Sequence, residues 1–417
     1  MSYVNILQGD CRALLANLKD NSIDSIVTDP PYELGFMGKR WDSSGIAYDL
    51  SVWRECLRVL KPGGHLLSFG GTRTYHRMTC AIEDAGFEIR DCIMWVYGSG
   101  FPKSHDVSKA IDKAAGAERE VVGPAAVGGK GQGNAYGTIT RPLATAPATE
   151  AARQWQGWGS ALKPSCEPVV VARKPLIGTI AENVLAYGTG ALNIDGCRIE
   201  HTTVVGANIS VNTHLRQSVR AGKRVNITSF ALPEREIPVS PLGRWPANLI
   251  HDGSQEVIEL FPETGPSKAI KGGANRRAYE QNEITNPSGW KEVGRIRKDE
   301  GYDDNGGSAA RFFYCAKTSP SERGDNRHPT VKPISLMRYL CRLVTPPSGV
   351  VLDPFAGSGT TLVAARLEGF SAVGCELQQE HVDIIKRRLD LPAEAYAEEP
   401  REEENPKPPK REQLKLF

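Results

Sequence analysis

Ile23-Asp24-Ser25-Ile26-Val27-Thr28-Asp29-Pro30-Pro31-Tyr32 reads as a short buried strand that runs straight into a stiff polar loop. The elements around it alternate. Before it come a strand over Tyr3–Gln8 and a helix over Cys11–Leu18. After it come a helix over Leu50–Leu60, stopped by the turn signal Lys61-Pro62-Gly63-Gly64, and a strand over His65–Phe69. A helix over Arg73–Ala85 ends at Gly86, and a strand follows over Phe87–Val96. Strands and helices alternating at this spacing predict βαβ units and a parallel sheet.

The pattern breaks near Gly98. Residues 98–165 are rich in Gly, Ala, Pro and Ser, and Glu167–Lys174 looks like a strand returning to the sheet. From Pro175 to about Ala310 the periodicity is weak, as in an inserted module. Order resumes at Arg311–Ala316, then a helix over Pro333–Leu343, a strand over Val350–Leu352, a helix over Thr360–Leu367, a strand over Ser371–Cys375 and a helix over His381–Leu389. The expected divisions are 1–100, 101–174 (a flexible insertion and the return strand), 175–310, 311–390 and a disordered charged tail, 391–417.

The 417 residues leave room for one large α/β domain and smaller units. No apolar run approaches the ~20 residues of a membrane span. The first residues lack the basic-then-apolar order of a signal peptide, so a cytoplasmic protein with no membrane partner is expected. The nine cysteines are scattered without a C-x-x-C pair, which argues against a disulfide framework or zinc ribbon and for small core residues; no metal is expected. Net charge is only +2. Basic residues cluster without acids at Arg216, Arg220, Lys223 and Arg224, and again at Lys268, Lys271, Arg276 and Arg277, which permits contact with a polyanion. Trp155 and Trp158 could stack on bases, but interior packing is the preferred reading.

Two loops carry chemistry. In Asp29-Pro30-Pro31-Tyr32 the prolines fix φ and remove donors, leaving a rigid loop with free carbonyls. An exocyclic amino group has two hydrogens to give. The Asp29 carboxylate and Pro30 carbonyl can accept one each, freeing the nitrogen lone pair for attack on an electrophilic methyl group. Tyr32 offers a flat face to a base taken out of the stack. The second loop, Asp353-Pro354-Phe355-Ala356-Gly357-Ser358-Gly359, follows a strand at the place where doubly wound sheets bind ligands. Its glycines would let backbone N–H groups approach a ligand closely. Glu376 ends the next strand, where an acid would receive ribose hydroxyls.

The order of these motifs resembles the β group of DNA N6-adenine/N4-cytosine methyltransferases. Asp-Pro-Pro-Tyr comes first, then an insertion, then His328-Pro329-Thr330-Val331-Lys332-Pro333, then F-x-G-x-G. Stretches such as Gly190–Ile199 and Gly243–Asn248 are similar to phage and prophage methylases. The resemblance implies a permuted Rossmann-like fold that uses S-adenosylmethionine, with 175–310 as the target-recognition region. It implies that Asp29, Pro30, Pro31 and Tyr32 are catalytic. Asp10, with Cys11, would hold the cofactor's adenine. Asp353, Phe355, Ala356, Gly357, Gly359 and Thr360 would line its methionine and ribose, Glu376 would take the ribose hydroxyls, and Thr330 and Lys332 the methionine carboxylate. Arg216, Arg220, Lys223, Arg224, Arg276 and Arg277 would meet DNA phosphates.

In that family Asp at the first loop position accompanies adenine more often than cytosine, whose enzymes more often carry Ser. The expectation is therefore methylation of adenine N6 in DNA, with cytosine N4 the alternative. An RNA or protein amide methyltransferase, and a catalytically inactive DNA-binding protein on the same scaffold, are the rivals. DNA, a second copy of the chain and a cognate restriction enzyme are the partners implied.

Overall fold

The computed structural model describes residues 2–35, 40–100, 104–124, 143–199, 243–264, 307–316, 331–391 and 396. Its strands are β1 (Val4–Gln8), β2 (Ile23–Thr28), β3 (Leu60–Phe69), β4 (Glu88–Val96), β5 (Val121–Pro124), β6 (Leu143–Thr145), β7 (Cys166–Arg173), β8 (Leu249–His251), β9 (Glu263–Thr264), β10 (Gly307–Ser308), β11 (Tyr314–Cys315), β12 (Val350–Asp353) and β13 (Ser371–Glu376). The chain divides into two compact units, one of residues 1–96 and 167–417, the other of Tyr97–Cys166.

The larger unit is built on a nine-stranded sheet in the order β1-β13-β12-β2-β3-β7-β4-β8-β11. Strands β1, β13, β12, β2 and β3 are mutually parallel. Strand β7 joins β3 antiparallel, with Phe69 opposite Val169, so the sheet is not wholly parallel. Strand β2 sits in the middle and all six of its residues are buried. Its polar side chains survive there because each is bonded: Asp24 takes Lys61 Nζ at 2.6 Å, Ser25 meets the Thr345 hydroxyl at 2.8 Å, and Thr28 donates to Asp353 at 2.6 Å. The helix Leu50–Val59 is capped by Asp49 and turns Val52, Trp53, Cys56 and Val59, the apolar stripe of its sequence, into the core.

Lys61-Pro62-Gly63-Gly64 does not end a helix before a separate strand. It lies inside β3, where a register shift between Ile23 and Ser25 accommodates it. Gly63 has φ +77°, and a Cβ there would sit 2.4 Å from the Asn183 amide. The helix Ile180–Tyr187 was not expected, yet Thr179 and Glu182 form a reciprocal capping box and Gly188 closes its end in the left-handed region.

The smaller unit, expected as a flexible insertion, carries regular structure in its described part. Helices Val107–Ala114 and Glu150–Gln154 are tied by Asp112, which accepts from Arg119, Ala148 N, Thr149 N and the Thr149 hydroxyl. Trp155 and Trp158 are not interior: they are 39% and 61% exposed and meet edge to face at 5.0 Å. Five of the nine cysteines are buried and none is in a disulfide. Among the described residues no helix is long and apolar enough to cross a membrane, and no cluster of potential ligands could hold a metal. Of the expected tail, Leu391 and Tyr396 are described. Tyr396 is buried against Ile334 and Val363 and donates to Arg388 O.

Candidate active site

The edge of the sheet where β2 and β3 end gathers the first group of residues. Because β7 runs against β3, it begins where they finish, and its second residue, Glu167, arrives beside the loop after β2. Lys332, just ahead of the helix Ile334–Val344, completes the group. Its ammonium lies 2.7 Å from Asp29 Oδ2, 3.1 Å from the Tyr32 hydroxyl and 3.2 Å from Glu167 Oε2. Three N–H donors thus face three oxygens. The Tyr32 hydroxyl donates to Glu167 Oε2 at 2.9 Å, and the Tyr32 carbonyl accepts from Thr74 Oγ1 at 2.7 Å. Lys332 also stands over the rings of Tyr32 and Phe69, 5.2 and 4.9 Å from their centroids.

Burial dominates the electrostatics here. It lifts Asp29 above the ordinary carboxylate range; Lys332 opposes that lift and Glu167 adds to it. Burial alone would lower the Lys332 ammonium, but Asp29 and Glu167 together outweigh it and hold Lys332 above the usual lysine range. The Tyr32 phenol is raised by burial and by the two carboxylates, so it stays a donor. One atom is left over. Asp29 Oδ1 is buried and has no hydrogen-bond partner among the described residues. An unpaired buried carboxylate oxygen is costly, and its natural complement is a donor brought by a ligand.

The second group lies at the ends of β1, β12 and β13. Gly9 N donates to Glu376 O, Ala356 N to Cys375 O, and Gly357 N to Glu376 Oε2 at 2.8 Å. Glu376 is 8% exposed and its other oxygen takes Gln378 N at 2.9 Å. Gly357 and Gly359 have φ of +53° and +79°. A Cβ on Gly359 would sit 2.8 Å from Ile385, so packing is sufficient reason for a glycine there. Asp353 points inward, accepting from Thr28 Oγ1 and from Phe355 N, and burial pushes its carboxyl up to about 6. Thr360 is 7% exposed and accepts from Arg388 at 3.0 Å. Phe355 tilts against Trp53 at 6.4 Å. Asp10 caps the helix Cys11–Ala16 and is held by Arg12, whose hydrogen bonds lower its carboxyl; Cys11 is buried and its thiol pushed up to about 12.

A family model for DNA methylases of the N6/N4 type matches residues 23–115 and 251–387, more than half of the chain. The chain belongs to this family of DNA methylases. Type II methyltransferase M.ScaI of Streptomyces caespitosus is 39% identical over 80 residues, 19% of this chain and 26% of that one. DNA adenine methyltransferase YhdJ of Escherichia coli is 40% identical over 72 residues, 17% and 24% of the two chains. The matched stretches therefore span about a quarter of these relatives' length. Among solved structures, the cytosine-N4-specific PvuII DNA methyltransferase gives a TM-score of 0.43 at 14% identity, covering 95% of this chain and 90% of that one. The M1.HpyAVI–SAM complex gives 0.39 at 16% identity, covering 93% and 100%.

In this DNA methylase the fold brings together Asp29 and Tyr32 with Lys332, and Glu376 with the loop Phe355–Gly359. Lys332, expected on the cofactor's carboxylate, is bonded to Asp29 in this structure. Thr330 lies outside the described residues, as do Arg216, Arg220, Lys223, Arg224, Arg276 and Arg277. Glu167 and Thr28 were not singled out from the sequence. The Pro-flanked strand start at Glu167-Pro168 marks the element but not its direction, and direction is what delivers the glutamate.

Proposed function

We propose that this DNA methylase transfers a methyl group from S-adenosylmethionine to the exocyclic N6 amino group of adenine in DNA. The observation that carries the reading is Asp29 Oδ1: a buried acceptor without a partner among the described residues, at the end of a central strand, whose sister oxygen is already fixed by Lys332. An amino group donating to that oxygen and to the Pro30 carbonyl would be drawn out of conjugation with its ring. Tyr32 would face the extruded base. Positioning of this kind needs no covalent enzyme intermediate.

The residues also fit the cofactor. Three parallel strands end side by side, which is where doubly wound sheets receive nucleosides, and Glu376 and Asp10 supply carboxylates there. S-adenosylmethionine, when bound, supplies a methyl group on a sulfonium as the electrophile. Glu376 would accept its ribose hydroxyls chiefly through Oε2, beside Gly357 N, because Oε1 already meets both Gln378 N and His381 Nδ1. Asp10 would meet its adenine only by sharing with Arg12. The β-group placement is supported by the motif order, with the strand before the cofactor loop late in the chain yet next to β2 in the sheet.

Incubation of the chain with labelled cofactor and DNA, RNA or protein, followed by nucleoside mass spectrometry, tests the reading. N6-methyladenine in DNA is expected. N4-methylcytosine alone would overturn the base, and label only in RNA or protein would overturn the polymer. Cofactor binding with no transfer to any of them would favour an inactive scaffold. Sedimentation with and without DNA separates a monomer from the homodimer, and resistance of the modified DNA to a neighbouring nuclease tests for a restriction partner.

A further inference from the structure

We propose that Glu167 is a positioning residue of the active site: it shares Lys332 with Asp29 and anchors the Tyr32 hydroxyl, so that the loop presents an anchored ring and a carboxylate whose charge Lys332 does not wholly cancel to the target amino group. The proposal rests on the methyl-transfer reading for its purpose, though its geometry stands without it.

Among the described residues, the groups facing Asp29 are Lys332 from the segment before the helix Ile334–Val344, Glu167 from β7, Tyr32 from its own loop, and Asp353 from β12. If Lys332 paired with Asp29 alone, the pair would be neutral and its field on a nitrogen acquiring positive charge would be weak. Glu167, 3.2 Å from the same ammonium, takes part of that charge. Its Oε2 also receives the Tyr32 hydroxyl, which pins the tip of the ring. Preorganised charge aimed at a site where charge develops is a large catalytic term where water is excluded. A glutamate that merely closed a strand end would share neither partner with the catalytic loop.

The two roles separate experimentally. Asp29 accepts a proton from the amino group only as the carboxylate, so the acid limb of the single-turnover rate follows its ionisation. Glu167→Gln keeps an oxygen for Tyr32 but removes a negative charge, which eases ionisation of Asp29 and moves the limb to lower pH by about one unit. Lys332→Met removes the positive charge and moves it to higher pH. The rate of Glu167→Gln should fall on the order of tenfold, with cofactor affinity unchanged.

A readout independent of turnover is the ¹³C-carboxyl NMR titration of Asp29, its resonance identified by its loss in Asp29→Asn. The midpoint should fall in Glu167→Gln and rise in Lys332→Met, both variants being checked for folding by thermal unfolding. If Lys332→Met does not fold, the Glu167→Gln titration decides alone. An Asp29 midpoint that stays put in Glu167→Gln overturns the proposal. Shifted midpoints in a chain that methylates nothing would leave the clamp standing and remove the methyl-transfer reading instead.

Discussion

Asp353→Asn gives the most direct test of the joint between the two loops. Asp353 is 2% exposed, and its Oδ1 takes the Thr28 hydroxyl at 2.6 Å and Phe355 N at 3.0 Å. Burial outweighs these donors and raises the carboxyl to about 6, whereas in the unfolded chain it returns to about 3.9. The folded state therefore binds the extra proton first. Stability contributed by that proton is complete below the unfolded value and is lost as the pH rises through about 6. Linkage over this window makes the wild type gain about 2 kcal/mol between pH ~8 and pH ~4.5 from this group alone. Asparagine offers the same acceptor to Thr28 and Phe355 but has no proton to take up. Other carboxylates, such as Glu368, which its arginine partners hold low, shift the absolute stability the other way on acidification. The difference between the two proteins cancels them. Urea unfolding of both across this range should show the wild type gaining on the variant as pH falls. Parallel curves would refute the assignment of a proton-binding, desolvated Asp353.

Three further outcomes follow from the same geometry. Asp29→Ala should lower methyl transfer by roughly a thousandfold or more while calorimetric cofactor affinity stays within about twofold, since among the described residues Asp29 makes no hydrogen bond to the β12 and β13 ends and acts on Asp353 there only through its charge; retained transfer would remove Asp29 from the chemistry. Gly359→Ala should destabilise the larger unit by about 2–4 kcal/mol, because φ is +79° and the new methyl meets Ile385 at 2.8 Å. Truncating Ile385 should recover only the contact part, and an unchanged urea midpoint in the single variant would count against the packing account. Glu376→Gln should weaken cofactor binding about tenfold by loosening its charge-assisted bond to Gly357 N, and unaltered calorimetric affinity would contradict its assignment.

Much of the frame was legible in the residues because its signals are local. Ile23–Thr28 is a strand with both ends as expected, and Thr360–Leu367 a helix with both ends as expected, since a proline loop, glycines and an apolar run bound them. The helix Ile180–Tyr187 was also legible, through Thr179, Glu182 and Gly188, but the surrounding Gly- and Pro-rich composition masked a capping signal only four residues long. Other features depend on partners distant in sequence. Lys61-Pro62-Gly63-Gly64 reads as a turn until Asn183 and the paired strand are known to press on Gly63. The glycine at 359 reads as room for a ligand until Ile385 is found against it. Trp155 and Trp158 read as core because large aromatic rings usually are, and nothing in their spacing reveals that the small unit leaves them at its surface.

Lys332 marks the deepest gap between sequence and site, and also its logic. It stands 303 residues from Asp29, so no window of sequence joins them. Yet the burial of Asp29 at the sheet edge requires some cation, because an isolated carboxylate there would protonate and cease to accept. Lys332 meets that requirement while filling its third contact with Glu167, and this can happen only because β7 runs against β3. Were β7 parallel to β3, its start would fall at the opposite edge and Glu167 would lie a strand's length from the loop. The antiparallel strand is thus more than an irregularity in a parallel sheet. It is the element that lets the strand-end edge carry two carboxylates around one lysine, with one oxygen left over for the amino group.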